Sequence, residues 1–178
     1  MKGVMKSFLT ISALSVLVVA PLITSAGKAS AESKKGTDAS YVGVGIAPGL
    51  TNGGQNGDAA TFGGQLVGRA KLGNLPLSAR GQINFSDETS AIIPHLTVDV
   101  PIARNTNGFV GVGYQFVEEK GKPTPSGNRN GVAVVAGVET EVAKNFLLYG
   151  NATVGINAYR NSSASSVSTG FGAGYRFR

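Results

Sequence analysis

Apolar residues recur at every second position through most of the chain after residue 40. In the last such stretch one face carries Phe171, Tyr175 and Phe177, whereas the other carries glycine, serine and arginine. A period of two places alternate side chains on opposite faces of a β-strand. Eight stretches of this kind follow one another, at 40–47, 60–72, 76–86, 89–101, 108–118, 131–143, 145–158 and 166–178.

The connections between these stretches alternate in length. The connections in odd positions are 48–59, 87–88, 119–130 and 159–165, and those in even positions are 73–75, 102–107 and 144. Except for 87–88, each odd connection is longer than every even one. Outer-membrane barrels have long extracellular loops and short periplasmic turns, and tilted strands of about 9–11 residues cross the bilayer. The pattern predicts an all-β fold: an eight-stranded antiparallel up-and-down transmembrane β-barrel over residues 40–178.

Alternation alone does not say which face of the sheet is wet, but the aromatic residues favour an apolar exterior. A membrane barrel carries an aromatic girdle at each interface with water. Most of the aromatic residues fall near predicted strand ends. One predicted girdle contains Tyr41, Phe109, Phe146, Tyr175 and Phe177, and the other contains Phe62, Phe85, Phe116 and Tyr159.

The first thirty-one residues have the form of a secretory signal peptide. Lys2 and Lys6 precede an apolar run at 8–23, and Ala29-Ser30-Ala31 has the small residues of a cleavage site. A single membrane anchor is the alternative, but the run is short for one. We expect cleavage after Ala31, a short flexible leader at 32–39, and export to the outer membrane.

Composition excludes several other classes of protein. The chain has no cysteine, which rules out a disulfide framework or a cysteine metal site. Its net charge of +6 falls to +3 when Lys2, Lys6 and Lys28 leave with the signal peptide. The remaining basic residues are scattered, without interleaved aromatic residues, so nothing indicates a nucleic-acid partner. No cofactor motif or metal-ligand cluster is present.

The end of the chain carries a short motif, Gly172-Ala173-Gly174-Tyr175-Arg176-Phe177. With the strand count and the loop pattern, it resembles the small OmpA/OmpX-type outer-membrane β-barrels, also described as a porin-like family. The resemblance covers residues 40–178 and implies that Gly172, Tyr175 and Phe177 form the signal read by the barrel-assembly machinery. Members typically end on the aromatic residue, whereas Arg178 follows it here.

Charged residues on the polar faces predict a luminal ion-pair network. In an eight-strand ring the second and sixth strands oppose each other, so basic residues of strands two and three can meet acidic residues of strand six. A buried charge is costly unless it is paired. The network has two interpretations, a gate or a fixed set of ion pairs that stabilises the barrel. Its predicted members are Arg69, Lys71, Arg80, Asp99, Glu139, Glu141 and Arg176.

His95, the only histidine, is predicted to face inward beside Arg80. No Gly-x-Ser-x-Gly or comparable nucleophile setting accompanies it, and one histidine cannot supply two zinc ligands.

Pro94 predicts a bulge or local break on the outer face of the fourth strand. The glycine-rich segment 53–57 lacks the lysine and helix of a phosphate loop, and the basic 120–129 loop could contact lipopolysaccharide.

These observations favour a non-enzymatic outer-membrane barrel with a structural, surface-interaction or narrow-conductance role. Its expected partners are outer-membrane lipid or lipopolysaccharide and, during biogenesis, the assembly machinery; a monomer is favoured. Eight strands leave an interior just wide enough for side chains, so a general diffusion porin is not expected. Two alternatives from other classes remain open: a soluble exported barrel that binds a small apolar ligand, and an outer-membrane lipid-modifying enzyme.

Overall fold

The computed structural model of the protein describes residues 36–52 and 61–177. The predicted signal peptide lies outside the described residues, as do the glycine-rich segment 53–57 and Arg178. The described part of the chain forms eight β-strands in chain order: β1 (Ser40–Pro48), β2 (Phe62–Lys71), β3 (Leu77–Phe85), β4 (Ser90–Ala103), β5 (Thr106–Val117), β6 (Gly131–Ala143), β7 (Phe146–Gly155) and β8 (Ser166–Phe177). Among the described residues, no helix is long and apolar enough to cross a membrane.

The strands close into a barrel in which each strand pairs with its neighbour in sequence and β1 pairs with β8. Every pairing is antiparallel, so the topology is up-and-down. β3 and β4 pair Phe85 with Ser90 and Arg80 with His95, which confirms the predicted position of His95 beside Arg80. Closure removes the exposed edges that an open sheet would present to other chains.

The barrel is polar inside and apolar outside. Val44 is 62% exposed, Leu96 60% and Val112 57%, although all three lie within strands. Side chains from the alternate positions, such as Gln82 and Glu139, are 2% and 0% exposed. This is the reverse of a soluble barrel, which buries its apolar face, and it argues against the alternative of a soluble exported barrel that binds a small apolar ligand.

Two of the aromatic residues assigned to the first predicted girdle point into the lumen instead. Tyr41 and Phe109 are 3% and 4% exposed. Tyr41 shares its strand face with Gly43 and Gly45, whose missing side chains leave room for a large ring in a narrow interior. Tyr159, assigned to the opposite girdle, is also buried; it lies in the loop before β8, where its hydroxyl donates to the carbonyl of Thr51. The other girdle residues are exposed on the outer wall: Phe62, Phe85, Phe116, Phe146, Tyr175 and Phe177.

Pro94 interrupts the ladder between β4 and β5 without a bulge. Pairing stops after Ile92↔Phe116 and resumes in the same register at His95↔Gly113. The two missing pairs both require an N–H at position 94, which proline lacks. Pro94 still pairs on its other side, with β3. The predicted irregularity is therefore a local break in hydrogen bonding.

The last residues of the predicted leader, 36–39, are hydrogen-bonded to the barrel. They lie across the lumen at the end of the barrel where β1 begins and β8 ends. The N–H of Gly36 donates to the carbonyl of Ala103 at 2.8 Å, and Thr37 and Ala39 are buried. We call residues 36–39 the strap.

Candidate functional site

Two arginines and two carboxylates form a closed ion cluster inside the barrel. Arg69 contacts Asp99 and Glu139 at 2.9 Å each. Arg80 contacts the same two carboxylates at 2.8 Å each. No side chain of the four is more than 8% exposed. Because two positive and two negative charges pair completely, the cluster is formally neutral, which limits the cost of burying it. We call these four residues the luminal cluster.

Arg80 lies at the centre of the cluster. Its Nη1 and Nη2 donate to both oxygens of Glu139, at 2.8 and 3.1 Å, which is the bidentate geometry of a strong pair. Its Nε donates to Thr97 at 2.9 Å, and its Cζ lies 3.9 Å from the centre of the Phe109 ring. Tyr41 accepts a further bond at 3.2 Å. The guanidinium is therefore held by contacts in several directions, which favours a fixed position.

The strap closes the barrel immediately below the cluster. Arg69 donates to the carbonyls of Thr37 and Ala39, at 3.1 Å each. The side-chain amide of Asn107 donates to the Thr37 carbonyl at 2.8 Å and accepts from its N–H at 3.1 Å. Gly36 has a φ of +89°, and a Cβ there would lie 2.1 Å from Oδ1 of Asn107, so this position requires glycine.

A turn from the loop between β5 and β6 closes the opposite mouth. Thr124 and Gly127 exchange backbone hydrogen bonds of 3.1 and 3.0 Å, and residues 124–128 are all buried. The hydroxyl of Ser126 accepts from Asn84 at 2.6 Å, and its carbonyl accepts from Gln115 at 3.0 Å. We call residues 124–128 the loop plug. Together with the strap, it leaves the luminal cluster enclosed from both ends.

The interior between the cluster and the loop plug is filled by uncharged polar side chains that bond across the barrel. Gln65 of β2 and Asn151 of β7 bond to each other at 3.0 Å, and Gln82 of β3 donates to Thr153 of β7 at 2.8 Å. These bonds join opposite walls. The lumen thus contains side chains along its described length.

The remaining members of the predicted network lie at the strap end, apart from the cluster. Glu141 and Arg176 form their own partly buried ion pair, and the hydroxyl of Thr37 donates to Glu141. Lys71 pairs with Asp38, whose side chain is 60% exposed. Four of the seven predicted residues therefore meet in one cluster and three do not. Sequence reasoning missed Thr37 and Asn107, because neither carries a charge or belongs to a motif.

The residues of the predicted assembly signal occupy both faces of β8. Tyr175 and Phe177 are exposed on the outer wall with ring centres 5.9 Å apart. Gly172 faces the lumen, where a Cβ would lie 2.1 Å from the carbonyl oxygen of Val44 and 2.5 Å from the hydroxyl of Tyr149. The glycine is required because the backbone of β1 and the Tyr149 side chain leave no room for a Cβ.

His95 lies inside the barrel and is 7% exposed. Its Nδ1 is 2.9 Å from the carbonyl oxygen of Ile93. It is therefore away from the outer wall, where a lipid substrate would lie. Within the described ranges, no three histidine or acidic side chains are grouped in a way that could hold a metal ion.

The loop between β5 and β6 is hydrogen-bonded to the loop between β7 and β8. The N–H of Arg160, in the loop before β8, donates to the Asn128 side chain at 2.7 Å, and the N–H of Asn128 donates to the carbonyl of Ala158 at 2.9 Å. Lys122 pairs with Glu88 of the short loop at 2.8 Å, and this hydrogen bond raises the pKa of Lys122. The loops thus form an ordered, charged surface above the loop plug.

No family model matches the chain, and no curated protein matches it. Its fold is similar to solved barrels. Ail, the attachment invasion locus protein of Yersinia pestis, is 19% identical, with a TM-score of 0.50 over 78% of this chain and 98% of Ail. A de novo designed transmembrane β-barrel is 14% identical, with a TM-score of 0.51 over 81% of this chain and 100% of the design. Neisserial surface protein A is 13% identical, with a TM-score of 0.48 over 78% of this chain and 96% of that protein. At such identities the likeness shows the fold alone, which is the eight-stranded antiparallel transmembrane β-barrel.

Proposed function

We propose that the chain is an integral outer-membrane protein that crosses the membrane as a sealed barrel and acts through its loop surface, without enzymatic activity. The observation that carries this proposal is the inverted polarity of the barrel together with the closure of its lumen. Lipid faces the apolar wall, and in the part of the chain that the structure describes the luminal cluster, the strap and the loop plug leave no path for solutes. The surfaces that face water, above all the loop surface, are then the ones available to bind a partner.

Several features support the outer-membrane location. The signal-peptide form of residues 1–31 fits export, and the terminal motif with Tyr175 and Phe177 fits recognition by the assembly machinery. A closed barrel leaves no strand edge unpaired, as a bilayer requires. The bilayer lipid, including lipopolysaccharide on the loop side, is the partner that this wall would meet, and a monomer is sufficient to close the sheet.

The loop surface fits an interaction role because it is ordered. The bonds between Asn128 and the loop before β8 hold two loops together, and exposed cations lie around them: Lys120, Lys122, Arg129 and Arg160. Preorganised loops bind at a lower entropic cost than mobile ones. Four exposed acidic residues lie in the same loops: Asp87, Glu88, Glu118 and Glu119. The described loop surface therefore carries both signs of charge in equal number, which fits a polar partner recognised through several paired contacts.

Sidedness tests this proposal. Single cysteines replacing Lys122 and Ser163 should react with a membrane-impermeant maleimide on intact cells, because these residues lie on the loop surface. A cysteine replacing Lys144, in the tight turn between β6 and β7, should react only after the outer membrane is permeabilised. The chain has no native cysteine, so the background is low. Labelling at position 144 alone on intact cells would show that the barrel is inserted the other way.

The closed lumen predicts that the purified protein is electrically silent in planar bilayers. Deleting residues 124–128 should leave it silent, because the luminal cluster and the strap still block the interior. Combining that deletion with removal of the strap and with the charge-balanced pair Arg80→Ala and Glu139→Ala should produce discrete conductance steps. Steady conductance by the unmodified protein would show instead that the lumen is not sealed.

A further inference from the structure

An apolar groove of about 550 Å³ crosses the outer wall of the barrel over β2, β3 and β4. Its floor is a row of three positions with small or compact side chains, because Gly68 pairs with Gly81 and Gly81 pairs with Pro94. A Cβ at Gly81 would meet nothing within 4 Å, and one at Gly68 would meet only the Tyr41 carbonyl oxygen, at 4.0 Å. The rims are formed by larger side chains: Leu66, Ile83, Ile92 and Phe116.

The groove lies at hydrocarbon depth. Gly81 is the middle residue of β3, and the rim residues all lie between this row and the loop end of the barrel. Phe85, on the same face of β3, marks the aromatic level above them. No charged side chain lines the groove. It is therefore continuous with the lipid-facing wall, and it opens into the half of the bilayer on the loop side.

Features that weaken a sheet are concentrated at this place. Glycine lowers the stability of a strand interior, and proline removes a ladder hydrogen bond. Pro94 leaves the carbonyl of Tyr114 without the N–H that another residue at position 94 would donate, and this is in the membrane-facing wall. Glycine within a strand often marks a point where a ligand approaches the backbone closely. Two strand glycines, a proline and a backbone carbonyl that lacks its partner therefore occur together at the groove.

We propose that the groove seats one acyl chain of lipid A, the lipid anchor of lipopolysaccharide. This rests on the proposed outer-membrane location and orientation, since lipid A occupies the leaflet on the loop side. A linear hydrocarbon chain can lie along a floor of bare backbone between branched and aromatic rims. A second copy of the barrel is a poorer fit, because its wall is convex and would touch the rims before reaching the floor. The volume is within the range of known ligand pockets, about 300–1,000 Å³.

The test is native mass spectrometry of the protein in detergent with purified lipid A as the probe. The variant Gly68→Leu with Gly81→Leu fills the floor with side chains for which the wall has space. The matched control is Ala136→Leu with Ala152→Leu, an outward-facing pair on β6 and β7 across the barrel. We expect a one-to-one lipid A adduct in the unmodified protein and the control, and an adduct weaker by about tenfold or more in the filled variant. If the filled variant does not fold, Gly81→Val alone occupies part of the same space and should give a smaller loss.

Three results would overturn the proposal: equal lipid A adducts in all variants, equally strong adducts with phosphatidylglycerol, or a protein dimer that the filled variant abolishes. Outer-membrane fractionation and heat-dependent gel mobility, measured on the same variants, separate this inference from the proposed function. A protein absent from the outer membrane would contradict the proposed function. A protein present there as a folded barrel, with an unchanged adduct in the filled variant, would contradict only the groove.

Discussion

Replacing Glu139 by Gln is expected to lower the free energy of unfolding by about 3–5 kcal/mol, the usual effect of removing one partner from a buried ion pair. Glu139 is fully buried and receives hydrogen bonds from both terminal nitrogens of Arg80, while Arg69 lies 2.9 Å away. The variant leaves two buried guanidinium groups with Asp99 as their remaining carboxylate in the cluster. The measurement is the urea midpoint of the barrel in lipid vesicles, followed by the shift in gel mobility between folded and unfolded forms.

The control for this prediction is Glu141→Gln. Glu141 pairs with Arg176 at the strap end, where both side chains are partly exposed, so water compensates for part of the lost charge. Its effect should be clearly smaller. Adding Arg80→Gln to the Glu139→Gln variant restores charge balance and should recover part of the loss. A Glu139→Gln barrel as stable as the unmodified one would show that these residues do not act as a coupled cluster.

Replacing Val112 by Arg is expected to destabilise the barrel by about 2–4 kcal/mol in a bilayer, the cost of a lipid-facing arginine at the membrane midplane. Val112 is 57% exposed, lies near the middle of β5 and pairs with Leu96 and Val134 on either side. In water such an exposed position would accept arginine at little cost. The measurement is again vesicle-based unfolding.

Leu75→Arg provides the comparison, because Leu75 is 58% exposed but lies in the turn between β2 and β3, outside the lipid belt. It should be close to neutral. Equal effects of the two substitutions would argue that the apolar wall does not face hydrocarbon. The pair thus tests the membrane assignment with the same chemical change at two similarly exposed leucine or valine positions.

The strand pattern predicted the architecture well because a period of two has a direct geometric meaning in a sheet. The strand order, the β3–β4 register and the irregularity at Pro94 all follow from it. The same pattern also indicates that Tyr41 and Phe109 point into the lumen. Each shares its face with glycines, such as Gly43 and Gly111, and a narrow lumen accommodates a ring only where its neighbours are small. Position near a strand end is a weaker guide than the face of the strand.

The candidate site was predictable only where charge marks it. Arg69, Arg80, Asp99 and Glu139 are charged residues on polar faces, and burial requires them to find partners. The strap and the loop plug carry no such mark. Both are short polar segments whose order comes from hydrogen bonds to distant strands, as Thr37 receives from Asn107 and Ser126 from Asn84. Such contacts depend on the assembled barrel and leave no local pattern.

The contacts of the strap also set an order of events during folding. Thr37 is bonded to Arg69 on β2, to Asn107 on β5 and to Glu141 on β6, residues that are 32, 70 and 104 positions away along the chain. The hydrogen-bond partners of Thr37 are close to one another only after those three strands have come together. Contacts of such long range form late, because the chain between them must first lose its freedom. The first described residues of the polypeptide are therefore among the last to reach their native position, and bulk fused just ahead of Gly36 should slow the final closure more than the early steps of insertion.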